Sequence, residues 1–167
     1  MPKSFKKLYS FEWKISAQKE SFVKVLLESW GLRVRAVGIG TLNDRYLNDF
    51  ISEPDFEVYY ENDLIAYIEV TGANLKINKH DNLWIAVHKI DKYNILLLNR
   101  PVYIVYMGFN RNRLMFIKYL RLNEVKKFEK NIIIKKIRGR CEKYIAIPYS
   151  RWHPIKELYR EFLQVIR

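Results

Sequence analysis

Between Pro54 and Thr71 the chain runs in strand period, breaks at Glu61-Asn62-Asp63 and then resumes, which commits this stretch to two antiparallel strands joined by a turn. On the second arm Leu64, Ala66, Ile68 and Val70 share one wholly apolar face, while Ile65, Tyr67, Glu69 and Thr71 share the other. The pattern therefore puts Glu69 off the core side. Asp55 opens the first arm and Glu69 lies 14 positions later, near the end of the second, so the two carboxylates fall on neighbouring strands. Carboxylates placed this way can hold a divalent cation against a phosphate. The plainer use of such residues is as solvated ends of a hairpin.

The flanking sequence decides between these uses. Residues 16–31 read as a helix with Ser16 as N-cap, Gly31 just past the C-terminus, and an apolar stripe of Phe22, Val23, Leu26, Leu27 and Trp30. Glu20 lies in its first turn at the edge of that stripe, where it can reach a cleft or offset the positive end of the helix. Leu32 to Thr41 then reads as a strand running into a loop that carries Gly38 and Gly40. The order is helix, strand, loop, strand with Asp, strand with Glu.

That order, with Glu20 in the helix, the Gly38-Ile39-Gly40 loop, Pro54-Asp55 and Glu69-Val70-Thr71, resembles the PD-(D/E)XK nuclease superfamily, and within it the archaeal Holliday-junction-resolvase-like branch. The resemblance spans residues 16–110. It implies an α/β, restriction-endonuclease-like fold, with a mixed β-sheet flanked by helices. It also implies that Glu20, Asp55 and Glu69 serve one or two divalent ions, with Asp55 and Glu69 as the metal ligands. A lysine two positions after the second carboxylate orients or deprotonates the attacking water in this superfamily. Here that position is Thr71, which has no positive charge to offer.

Either the lysine has moved or efficient catalysis has been lost. Residues 81–98 read as a helix capped by Asp81 or Asn82, with Ile85, His88, Lys89, Lys92 and Leu96 on one face. Lys89 is the first candidate for the displaced lysine, Lys92 the second, and Lys76 in the polar loop 71–81 the third. Both helix lysines also have an ordinary alternative as solvated surface charges. Hydrolysis of a phosphodiester needs an activated water and positive charge around a dianionic transition state, for which Mg²⁺ (or Mn²⁺) on oxygen ligands is suited. Zinc is not expected, because Cys141 is the single cysteine and His80, His88 and His153 lack tetrahedral spacing.

Charge agrees with a polyanionic partner. Residues 111–167 contain 16 basic and 5 acidic residues and so hold +11 of the net +12. Arg33, Arg35, Lys76, Lys79, Lys135 and Lys136 are the candidate DNA contacts, with the basic run from Lys126 to Lys143 interleaved with Phe128, Ile132 to Ile134 and Tyr144. Solubility, a membrane surface or an acidic protein would use the same charge.

The length of 167 residues, without repeats or a low-complexity linker, fits one domain with a strongly basic C-terminal third. No transmembrane segment is read. Met1 to Lys14 carries no apolar core or cleavage site of a secretory signal, so an intracellular, cytoplasmic protein is expected. Pro101 to Phe109 reads as a central strand, Leu114 to Leu120 as another, and Tyr144 to Pro148 as one confined to an edge by its proline. An amphipathic helix entered at Pro154 closes the chain, its apolar side facing the sheet or a second subunit. The expected activity is metal-dependent DNA endonuclease, with a homodimer where two strands are cut in concert. An inactive DNA-binding scaffold and a protein that meets an acidic partner are the alternatives.

Overall fold

The computed structural model describes residues 18–37, 54–74, 81–95, 99–111, 113–137 and 139–167. A helix over residues 18–29 (α1) leads through Gly31, whose φ of 81° suits glycine, into β1 (Arg33–Ala36). The hairpin follows as β2 (Phe56–Tyr60) and β3 (Asp63–Asn74), turning at Glu61 and Asn62. Then come β4 (Asn82–Ala86), α2 (Val87–Ile95), β5 (Val102–Asn110) and β6 (Arg113–Arg121). The chain ends with α3 (Leu122–Lys126), β7 (Ile132–Ile137), β8 (Arg140–Pro148), β9 (His153–Pro154) and α4 (Ile155–Ile166).

The larger sheet has the order β1-β2-β3-β5-β6-β9. Its β3 and β5 pair in parallel and the other neighbours are antiparallel. Both faces are covered. On one, Val23 and Leu27 of α1 with Leu158 and Phe162 of α4 pack on Val34, Phe56, Val58, Ile68, Val70, Val105 and Met107. On the other, Ile90 and Tyr93 of α2 and Val125 of α3 join Tyr67, Ile104, Tyr106 and Leu120. Leu83, Ile85, Ile145 and Ile147, from a second sheet of order β4-β8-β7, complete that face. Each fully buried large apolar side chain contributes about 1.5–3 kcal/mol. The apolar side of α4 is thus spent on the sheet.

Three expectations need correction. Residues 81–98 do not form one helix, because Leu83 and Ile85 alternate with exposed Trp84 and pair with Ile147 and Ile145 of β8. Cross-strand burial there outweighs local helix spacing, and the helix begins only at Val87. Glu69 is not off the core side: it is 2% exposed, since α2 and the second sheet cover its face. Pro148 does not mark an edge strand, because β8 is central in its sheet and the proline sits at its end opposite Asn82.

Candidate active site

The site forms where β2 stops beside β3. Their pairing ends at Phe56 opposite Ile68, and continuing that register sets Pro54 opposite Val70. Proline has no N–H to give a neighbouring strand, so the ladder ends there. Tyr67 donates its N–H to Pro101 on the β5 side (2.9 Å), so alternation turns the backbone groups of Val70 and Gly72 to the opposite edge. Side chains satisfy that edge. The Asp55 carboxylate accepts the Val70 N–H at 2.7 Å, the Lys89 ammonium donates to the Val70 carbonyl at 2.8 Å, and the Lys19 ammonium donates to the Gly72 carbonyl at 3.1 Å. A Cβ at Gly72 would collide with the Met107 carbonyl, so glycine is required for the close approach of β3 and β5.

Glu69 projects beside this edge into the second core. Its Oε1 pairs with Lys89 Nζ at 3.2 Å and its Oε2 accepts the Tyr93 hydroxyl at 2.7 Å. Lys89 and Tyr93 are four apart on α2, so one helical face delivers both. Burial and the nearby carboxylate push the Tyr93 hydroxyl far above its ordinary pKa, which keeps it a donor.

The electrostatics are unbalanced toward negative charge. Burial, then Glu69 and more weakly Glu20, raise the Asp55 carboxyl to about 7, against the pull of Lys89 and the Val70 N–H. Burial works against the charge on Lys89, but Glu69, Asp55 and Glu20 outweigh it and hold its pKa above the ordinary value. Lys89 therefore stays an ammonium, a donor of hydrogen bonds. Burial and the proximity of Lys89 lower the pKa of Lys19.

These donors fit a hard divalent cation. Asp55 and Glu69 offer oxygen only, and their mutual repulsion in a buried setting is what a divalent ion would relieve. Among the described residues no group of three or more His, Cys, Asp or Glu is arranged to hold a metal. The two carboxylates would thus share an ion with water, backbone and substrate oxygens, as Mg²⁺ accepts.

No family model matches the chain, and no curated protein matches it. Solved structures do. The Holliday junction resolvase Hjc of Archaeoglobus fulgidus, an archaeal hyperthermophile, superposes with a TM-score of 0.51 at 12% identity, covering 86% of this chain and 98% of its own. The chain shares the overall fold of that resolvase. A nuclease from a fusselovirus is also similar, with a TM-score of 0.48 at 17% identity over 92% of this chain and 93% of that one.

Within this fold, Asp55, Glu69 and Lys89 come together, and Glu20 on α1 is close enough to act on the charges of Asp55 and Lys89. Thr71 follows Val70 on the same edge-bearing strand, between the carbonyls bonded by the two lysines. Arg33 and Arg35 lie elsewhere: Arg33 stacks 4.2 Å from the Tyr59 ring centroid, and Arg35 pairs with Glu57 at 3.7 Å. Lys135 and Lys136 are exposed on β7, with the Lys135 ammonium 5.0 Å from the centre of the Trp84 ring. Lys76, Lys79 and the side chain of Lys92 lie outside the described residues. Sequence reasoning missed two site residues. Tyr93 had a signal in its spacing from Lys89, whereas nothing in the pattern marked Lys19, whose bond is to a backbone carbonyl.

Proposed function

We propose that this chain is a metal-dependent DNA endonuclease with its centre at Asp55, Glu69 and Lys89. The observation that carries the reading is the convergence of two carboxylates and one ammonium, from three elements, on the edge of β3 left open by Pro54. Asp55 and Glu69 hold the ion, Glu20 supports it from α1, and Tyr93 fixes the rotamer of Glu69. A bound Mg²⁺ or Mn²⁺ supplies positive charge against the dianionic transition state and acidifies the attacking water. Lys89 takes the part that Thr71 cannot. Held cationic by its acidic neighbours, it orients the water by donation and offsets charge building on the phosphate, rather than abstracting a proton.

Exposed Lys135 and Lys136, with Arg33 and Arg35, contact backbone phosphates. Preference for a four-way junction belongs to the same reading, and concerted cutting of two strands calls for two copies. The test is cleavage of labelled linear duplex, single-stranded, flap and four-way-junction DNA with Mg²⁺, Mn²⁺ or EDTA. Metal-dependent cutting, greatest on the junction, is the expected result. DNA binding without cutting on any substrate would instead identify an inactive scaffold.

A further inference from the structure

Two ammonium groups reach the open edge of β3 from opposite layers of the fold. Lys89 comes from α2 and bonds the carbonyl of Val70; Lys19 comes from α1 and bonds that of Gly72. They bracket Thr71. Lys89 is matched by Glu69, but the polar contact of Lys19 among the described residues is a carbonyl dipole, with the Phe109 ring 5.8 Å away. Among the described residues this half-buried ammonium rests on a carbonyl alone, an arrangement that an added anion would stabilise. The carbonyl is nevertheless a fixed anchor, since Gly72 is locked against Met107. The ammonium is therefore positioned before any substrate arrives.

We propose that Lys19 is a phosphate-binding residue, its ammonium on the Gly72 carbonyl contacting one phosphate of the DNA strand that enters the Asp55 and Glu69 centre. This rests on the nuclease reading above. Lysine suits the role as a compact point charge with three donors, one already on Gly72 and the others left for phosphate oxygens. The site thereby recovers, from α1, positive charge that the strand position at Thr71 lacks.

The test uses the full chain as wild type, Lys19→Gln and Lys19→Arg. Glutamine keeps a polar donor and removes the charge, although it is one bond shorter; arginine keeps both the charge and the reach. Binding is measured without metal across a salt series, on DNA carrying single methylphosphonates at successive positions around the cut site. The wild type should lose about tenfold in affinity at one particular phosphate. Lys19→Gln should lose a similar factor on unmodified DNA, show no further loss at that phosphate, and have a salt slope shallower by about 0.9. Lys19→Arg should keep the wild-type pattern. A Lys19→Gln protein with the wild-type melting temperature, slope and methylphosphonate profile would overturn the assignment and leave the nuclease reading intact. If Lys19→Gln does not fold, loss of the phosphate-specific penalty by charge-retaining Lys19→Arg would overturn it equally. A wild type that neither binds nor cuts DNA would overturn both.

Discussion

Glu69 is held by the Tyr93 hydroxyl and a cation, and Glu161 by two tyrosine hydroxyls and a cation, yet their surroundings differ in one respect that separates the proposed centre from a fastening. Glu161 on α4 accepts Tyr103 at 3.0 Å, Tyr119 at 2.6 Å, and Arg121 at 2.7 and 3.0 Å, so both oxygens are satisfied. Burial alone would raise its pKa, but those hydrogen bonds, from Tyr119, Arg121 and Tyr103, prevail and leave it below the usual carboxylate range. Around Glu69 the cation is shared with Asp55 and Glu20, and burial first, then the Glu69 charge, pushes the Asp55 carboxyl up to about 7. One cluster is electrostatically closed and ties α4 to β5 and β6. The other holds surplus negative charge in a buried place, the condition that an added cation would relieve.

The difference is largest in activity. Glu69→Ala should lower single-turnover cleavage about 10³-fold and Lys89→Met about 10²-fold, while Glu161→Gln stays within about twofold of wild type. Adding Thr71→Lys to Lys89→Met should restore part of the rate, because it returns an ammonium to the strand position that the chain has vacated; quench-flow on a labelled duplex reads all four.

Stability should show the reverse order. Glu161→Ala leaves the Tyr103 and Tyr119 hydroxyls without their acceptor, at a cost of roughly 1–3 kcal/mol in urea unfolding. Glu69→Gln, which keeps an acceptor for Tyr93, should move the metal-free protein less.

The smallest effects are in pH dependence, and the two clusters should differ in sign. Asp55 holds its proton more tightly when folded, so it lowers the stability of the metal-free protein as pH rises from the ordinary value of 3.8 through about 7. Asp55→Asn should flatten that decline. Glu161 holds its proton less tightly when folded; its contribution is present above the ordinary value of 4.5 and lost as pH falls through its lower folded pKa. Glu161→Gln should flatten the acid limb alone. Denaturation midpoints from pH 3 to 9 would show either shape.

What was legible in the sequence was local. Alternation from Phe56 to Val70 gave the two paired strands, with Glu69 on the second and Asp55 immediately before the first, and helical spacing made Lys89 the preferred cation although the helix begins later than the pattern suggests. The burial of Glu69 was not legible. It depends on β4 and β8 closing over one face of the sheet, a pairing between residues more than fifty positions apart that local period does not encode. Pro54 read as the opening of a strand, while its consequence, a carbonyl at Val70 left for Lys89, needed the register.

The most direct test compares Mg²⁺-dependent cleavage by wild type, Asp55→Asn and Glu161→Gln on four-way-junction and linear DNA, with melting and DNA affinity measured beside it. Cutting by wild type and Glu161→Gln, abolished in a folded Asp55→Asn protein that still binds DNA, is the predicted result. Undiminished cutting by Asp55→Asn, or none by the wild type on any DNA, would contradict a metal-dependent centre at Asp55 and Glu69.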